Sequence, residues 1–406
     1  MKNNYLSVII PAYNEEDSIA VIIERVLDSE AGLTQAGGAG LELIVVDDGS
    51  SDRTAEIVQR YREVVLLQHH PNRGYGAALK TGLAGATGEY VAFLDADGTY
   101  PPEQFPVLFQ AAKEGVDLVI GSRMSGEASD MPLMRRLGNW FFANLISLYG
   151  NVKVHDVASG MRVFKKEVLE KVYPLPDGLN FTPIMSLRAI HEGLKVVEIP
   201  IPYHERVGKS KLSVIRDGLR YLYSITWIAL GYNPVRILGL LGMVGILLAV
   251  LFGAGIIFAR VSGVTVLSRQ MVFGIFLALV SSVAGVSLFN LGATFNYLIS
   301  IYRKKQVREG LFGKPIFKKP IDRQFGWMGW LCMGLGVGMS VVSMILSAQG
   351  WQIERLWLYL VGSAMIFLIG VQLLISWIIM RKLEELSARE NEIARDLSAQ
   401  PSKRIG

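Results

Sequence analysis

Cysteine is almost missing: one residue, Cys332, in 406. This excludes a disulfide framework and cysteine-based metal sites, and it suits a reducing compartment. Charge is scarce as well. Charged residues make up 19% of the chain and mean hydropathy is +0.34, too apolar for an ordinary soluble enzyme. Of the five histidines, His69-His70, His191 and His204 lack ligand-like spacing and read as surface or packing residues. No Gly-x-Gly-x-x-Gly and no Walker lysine motif occur, which disfavours a dinucleotide fold or a P-loop. The net charge of +5 is modest, and no nucleic-acid partner is expected. Met1–Tyr5 is polar and a strand-like segment follows at once, so no signal peptide is expected.

What is present divides in two. At this length two or more units are expected, and the apolar excess lies mostly beyond residue 234. Before it, short apolar runs alternate with helical spacing. Leu6–Ile10, Leu43–Val46, Val64–Leu67, Tyr90–Leu94 and Asp117–Ile120 read as strands. Glu15–Leu27, the segment through Ala55–Tyr61, Ala77–Leu83 and Phe105–Ala112 read as helices, with Asn14 and Ser51 or Asp52 as N-caps. The alternation predicts an α/β domain with a mostly parallel sheet and helices on both faces. Ligands of such sheets bind beyond the carboxyl ends of the strands. Acidic and glycine punctuation falls there each time: Asn14-Glu15, Asp47-Asp48, Arg73-Gly74 and Asp95-Ala96-Asp97. Each cluster alone is compatible with a turn or a helix cap; four at the ends of strands in one sheet point to a shared crevice. Two carboxylates at the end of a buried strand are costly unless paired, and a divalent cation carrying a phosphorylated ligand explains them.

Leu6–Glu15 (LSVIIPAYNE), Ile44–Thr54 (IVVDDGSSDRT), Asn72–Gly82 and Phe93–Asp97 (FLDAD) resemble the family 2 glycosyltransferases of the GT-A fold. Gly121-Ser122-Arg123, Ser159-Gly160-Met161-Arg162 and Arg206–Leu212 (RVGKSKL) are similar to the dolichol-phosphate mannose synthase and polyprenyl-phosphate glycosyltransferase branch. The likeness spans about the first 220 residues. It implies a nucleotide sugar lying across the strand ends, with Pro11, Tyr13 and Glu15 at base and ribose and Asp47 or Asp48 reading the base edge. It also implies Mg²⁺ or Mn²⁺ at Asp97, with Asp95 nearby and Thr99 standing where the branch has a glutamine. That departure, Gly98-Thr99 for Leu-Gln, keeps the sugar donor from being carried over. Arg73 and Lys80 are diphosphate candidates, and Lys80 reads equally as a solvated charge. Arg123, Arg136, Arg206, Lys209 and Lys211 are candidates for an acceptor phosphate; Arg206–Lys211 also reads as a basic patch for lipid headgroups. Asp156 is either a base or a partner of Arg162, and both join Asp97 as catalytic candidates.

Ser213–Tyr232 has the pattern of an interfacial amphipathic helix, with Arg216 and Arg220 on its polar face. Four apolar segments follow, about Val235–Ala259, Met271–Tyr302, Phe325–Ser347 and Leu356–Met380, each long enough to span. Gly239, Gly242 and Gly245, and Gly334, Gly336 and Gly338, suggest close helix contacts. Arg303–Arg323 carries eight Lys or Arg against Glu309 and Asp322, so positive-inside places both termini and the catalytic half in the cytoplasm. The expected organisation is a catalytic domain over 1–212, the interfacial helix over 213–233, four transmembrane helices over 234–382 and a tail over 383–406. The resemblance then implies inverting transfer of a hexose from a nucleotide sugar (GDP-mannose or UDP-glucose type) to a dolichyl or undecaprenyl phosphate. The alternatives are a lipid-hydroxyl glycosyltransferase of glycosyl-diacylglycerol or ceramide type, which needs a general base, and a flippase with a degenerate nucleotide-binding domain. No Gln-x-x-Arg-Trp motif occurs, which weighs against a processive polysaccharide synthase. A homo-oligomer is open.

Overall fold

The computed structural model describes residues 2–124, 131–150, 152–206, 214–264, 268–303 and 321–398. The chain divides into two compact units after Ile228, and each is described by itself.

The first unit is built on seven strands: β1 (Lys2–Ala12), β2 (Gly40–Asp47), β3 (Val64–Gln68), β4 (Gly88–Phe93), β5 (Leu118–Ser122), β6 (Arg162–Lys165) and β7 (Val196–Pro200). Their order is β3-β2-β1-β4-β6-β5-β7. All pairings are parallel except those of β6, which runs antiparallel to both β4 and β5. The central strands are buried on both sides, as Leu6–Ile10 and Val91–Phe93 are. They therefore read as unbroken apolar runs, as strands covered by helices on both faces do. Pro11 is tolerated because it lies past Ile9, the last residue of β1 paired with β4.

Helices α1 (Ile19–Asp28), α2 (Glu30–Gln35), α3 (Thr54–Val58), α4 (Tyr75–Gly85) and α5 (Phe105–Lys113) connect the first five strands. The helix expected from Glu15 begins at Ile19 instead, and no side-chain cap opens it. Asn14 ties two loops together instead of capping a helix: at φ 52° its Oδ1 accepts the Ser51 N–H at 2.8 Å. After β5 come α6 (Leu133–Gly150), α7 (Val168–Val172), α8 (Phe181–His191) and α9 (Val214–Leu230). Helix α6 turns Asn139, Ala143 and Ile146 inward, while Leu133, Leu137, Trp140 and Phe141 stay exposed. On α9, Asp217 and Ile225 are buried while Ile215, Leu219, Tyr223 and Trp227 are exposed. The two helices touch through Phe142 and Tyr221, whose ring centroids are 5.6 Å apart.

The second unit holds α10 (Pro234–Val261), α11 (Arg269–Arg303), α12 (Phe325–Ala348) and α13 (Ile353–Ser398). All four are long and apolar enough to cross a membrane. Pro234 opens α10, where a missing N–H costs nothing, and Asn233 caps it by accepting the Arg236 N–H at 3.2 Å. Glycine sets the packing. A Cβ at Gly242 would lie 2.6 Å from Gly285 O, and one at Gly370 would lie 2.8 Å from Gly329 O. Gly336, at 2.9 Å, and Gly245, at 3.0 Å, are tight but less crowded, whereas Gly334 and Gly338 have nothing within 4 Å. The expected contacts at those last two are therefore corrected: only Gly336 of that trio faces α13. Gln372 on α13 donates to Ser287 Oγ on α11 at 2.8 Å, and Asn290 is buried among its neighbours.

Candidate active site

The crevice forms where the loops after β1, β2, β3 and β4 meet, and polar side chains lace these loops together. The Asn14 N–H donates to Ser50 Oγ at 2.9 Å, Glu15 N–H to Thr54 Oγ1 at 2.9 Å and Glu16 N–H to Asp52 Oδ2 at 3.2 Å. Short hydroxyl and carboxylate side chains at 50–54 thus satisfy backbone donors that the end of β1 leaves unpaired.

The two acids of the β2 loop divide. Asp48 is turned inward: it accepts the Arg73 and Gly74 N–H groups at 2.9 and 2.8 Å and contacts His69 Nδ1 at 2.7 Å. His69 is itself buried against Thr81 Oγ1 at 2.8 Å. Asp48 therefore shapes the loop leading into α4. The Asp47 carboxylate, buried as well, accepts the Ser50 N–H at 3.1 Å and the amide of the exposed Gln68 at 3.3 Å. Pro11 is buried, Tyr13 exposed and Glu15 half-buried, and the Arg73 side chain is exposed. Lys80, the diphosphate candidate that reads equally as a solvated charge, pairs with Asp177 and donates to Leu175 O.

The acidic pair follows β4. The Tyr75 hydroxyl donates to Asp95 Oδ1 at 2.7 Å, and Gly160 packs so closely that a Cβ there would collide with the Asp95 carboxylate. Burial, and then the neighbouring Asp97 charge, push the Asp95 carboxyl up to about 6. Asp97 Oδ1 accepts both the hydroxyl of Thr99, at 2.6 Å, and its N–H, at 3.2 Å. Thr99, expected beside the metal, is buried, is not among the residues lining the cavity and has its hydroxyl on Asp97, which orients that carboxylate. Asp97 Oδ2 faces the Arg206 guanidinium at 3.4 Å, and Arg206 also reaches Glu15 Oε1 at 3.0 Å.

Asp156 does not pair with Arg162. Its carboxylate is fully buried and grips Arg123, accepting from N at 2.8 Å, Nε at 2.8 Å and Nη2 at 2.7 Å. Arg162 is enclosed below, with Nε donating to Ser159 O at 3.2 Å and Nη2 to Val157 O at 2.8 Å. Desolvation lowers its pKa to about 10. Arg162 therefore braces the loop that carries Asp156 and Gly160 and does not open on the crevice.

One cavity brings these parts together. Its lining includes Tyr75, Asp95, Asp97, Arg123 and Arg206 along with Met131, Met134, Phe142, Leu179 and Tyr221. Arg135 lines it and Arg136 does not: consecutive helical residues point about 100° apart, and Arg136 is the exposed one. Lys209 and Lys211 lie outside the described residues. Tyr203 and Asp217 also line the cavity and had no motif to announce them, while Tyr75 lies within the Asn72–Gly82 motif but carried no expected role. For Asp217 the one available signal was its spacing to Tyr221, which puts both on one face of α9.

The profile described as "Glycosyl transferase family 2" matches residues 7–173, and one described as a domain of unknown function matches 234–394. A dolichyl-phosphate hexose transferase of Haloferax volcanii is 32% identical over 55% of this chain and 94% of its own length. An undecaprenyl-phosphate 4-deoxy-4-formamido-L-arabinose transferase of Klebsiella pneumoniae is 28% identical over 78% of this chain and 94% of its own. A crystal structure of glucosyl-3-phosphoglycerate synthase from Mycobacterium tuberculosis, with Mn²⁺, UDP and phosphoglyceric acid, aligns at TM-score 0.43 and 22% identity, covering 54% of this chain and 78% of that one.

Proposed function

Because the chain belongs to glycosyl transferase family 2 and is a glycosyltransferase, we propose that it moves a hexose from a nucleotide sugar to a polyprenyl phosphate at the cytoplasmic membrane face. One observation carries the reading: the acidic pair, Arg123, Arg135 and a run of apolar side chains line the same cavity. A nucleoside diphosphate with its cation, an anionic acceptor head and a prenyl tail need those three surfaces together. The names of the Haloferax and Klebsiella relatives, both polyprenyl-phosphate sugar transferases, support the same acceptor.

Asp47 reads the base edge, with Tyr13 and Glu15 beside the nucleoside. A divalent cation fits the acidic pair. Thr99 and Tyr75 tie down one oxygen of each carboxylate, and Asp97 Oδ2 already faces a positive group, Arg206. Among the described residues no third acid, histidine or cysteine joins them, so remaining ligands would come from the diphosphate, as hard oxygen-seeking cations allow. Asp97 and Asp95 would hold Mg²⁺ or Mn²⁺ there, and the cation would supply neutralisation of the charge on the departing nucleoside diphosphate. Arg123 and Arg135 hold the acceptor phosphate in line with the anomeric carbon, which is attacked from the side opposite the diphosphate and inverted. A phosphate monoester, with a second pKa of about 6, needs little help from a base near neutral pH. Positioning therefore carries most of the rate. The exposed aromatic and aliphatic faces of α6 and α9 suit a membrane interface; the basic Arg303–Arg323 stretch supports the cytoplasmic orientation.

The test is to incubate the purified full chain with Mg²⁺, polyprenyl phosphate and a panel of radiolabelled GDP- and UDP-sugars. One sugar should appear on the lipid phosphate. Transfer to diacylglycerol or ceramide, with none to polyprenyl phosphate, would overturn the reading.

A further inference from the structure

We propose that Asp156 is a positioning residue that presents Arg123 to the acceptor phosphate, and not a proton acceptor. The inference rests on the reading of Arg123 given above. Arg123 carries five side-chain N–H bonds. Asp156 takes one from Nε and one from Nη2; five less two leaves three that Asp156 does not take, on a side chain that lines the cavity. The side chain of Arg123 is 11% exposed and that of Asp156 is 0% exposed, so only the arginine meets a ligand.

The mounting extends to both sides of the pair. Glu198 on β7 accepts the His155 and Asp156 N–H groups, each at 2.8 Å, and fixes the backbone that carries the carboxylate. Tyr203 and Tyr100 set their rings 5.5 and 5.9 Å from the Arg123 guanidinium carbon. The Tyr100 hydroxyl is itself fixed by the Gly160 N–H at 2.7 Å. A guanidinium held by a bidentate carboxylate and two rings has lost its rotational freedom before the acceptor arrives, which strengthens binding without any new contact. A carboxylate in this place is badly sited as a base. It already accepts three N–H bonds, it has no exposed surface, and the guanidinium stands between it and the cavity. The neutral pair also leaves net attraction for the phosphate to direction rather than charge, which is where a planar fork differs from a point charge.

Steady-state kinetics of the full chain, with lipid phosphate varied at saturating donor, decide the matter through Arg123→Gln, Asp156→Asn and the double variant. Each should raise the KM for polyprenyl phosphate by about tenfold or more, the loss of a charge-assisted contact. Any fall in kcat should be of the same size in Asp156→Asn as in Arg123→Gln, and the KM for the nucleotide sugar should not move. The double variant should be no worse than Arg123→Gln, because the two residues act as one device. It removes both members of a buried pair, so it folds even where a single change strands a charge, and it decides alone if Asp156→Asn does not accumulate. A kcat in Asp156→Asn or the double variant about a hundredfold or more below that of Arg123→Gln, the size expected for a lost base, would overturn the proposal. So would additive effects on KM. If Arg123→Gln raises the lipid KM and Asp156→Asn does not, the positioning role alone fails. If Arg123→Gln leaves the lipid KM unchanged, the acceptor reading of the cavity fails with it.

Discussion

In the unit that ends at Ile228, loops distant in sequence are joined by side chains: Asn14 to Ser51, Glu15 to Thr54, Asp48 to Gly74, Asp156 to Arg123. In the unit that begins at Ala229, helices meet where side chains are missing, at Gly242 against Gly285 and Gly329 against Gly370. The contrast follows from solvent. In water a polar tie must be geometrically good to outweigh hydration, so it specifies one arrangement. In hydrocarbon the hydrophobic drive between helices vanishes and close backbone approach takes its place. The first unit is therefore sensitive to the identity of its polar atoms, and the second to the volume of its smallest residues.

The largest expected effect breaks the polar side of this comparison. Asp97→Ala should lower transfer by about 10³-fold or more while circular dichroism shows an unchanged fold. Full activity in that variant would remove the acidic pair from the mechanism. The other side is broken by Gly285→Val, which puts atoms where a Cβ already meets Gly242 O at 2.7 Å. It should destabilise the α10–α11 hairpin by about 1–3 kcal/mol, read as a lower unfolding midpoint with nucleotide affinity unmoved. Gly338→Val, made in open space, should leave the midpoint within about 0.5 kcal/mol of wild type. A finer test is Thr99→Val, which removes one hydrogen bond to Asp97 and should cut kcat about tenfold. The smallest effect is expected from Lys80→Ala: a half-exposed ion pair contributes under about 1 kcal/mol, and the nucleotide-sugar KM should not change.

Sequence punctuation made the donor side legible. IVVDDGSSDRT and FLDAD mark the ends of β2 and β4 because only glycine, proline or short polar residues leave a buried strand sharply. The parallel core was legible for the same reason. Strands β6 and β7 were not: β6 has four residues and runs against the alternating pattern, and β7 is a half-exposed edge. Helix α6 escaped because Arg135, Arg136, Gly138 and Asn139 interrupt its apolar period. Asp156 lies six residues from Arg162 yet pairs with Arg123, 33 residues away; across strand ends, chain distance says little about reach. Gly334, Gly336 and Gly338 could not be sorted by composition, since only the helical phase decides which faces a partner.

Arg206 and Glu15 are 191 residues apart in the chain and 3.0 Å apart in space. During synthesis Glu15 emerges early and Arg206 nearly last of the first unit, at a ribosomal rate of about 5–20 residues per second. The loops of β1, β2 and β4 can assemble in the meantime, but the cavity stays unfinished until the segment just ahead of the apolar helices has been made. A chain stopped before residue 206 would hold the acidic pair without the arginine that joins Asp97 to Glu15. Completion of the catalytic unit and arrival at the membrane are thus tied to one moment of translation.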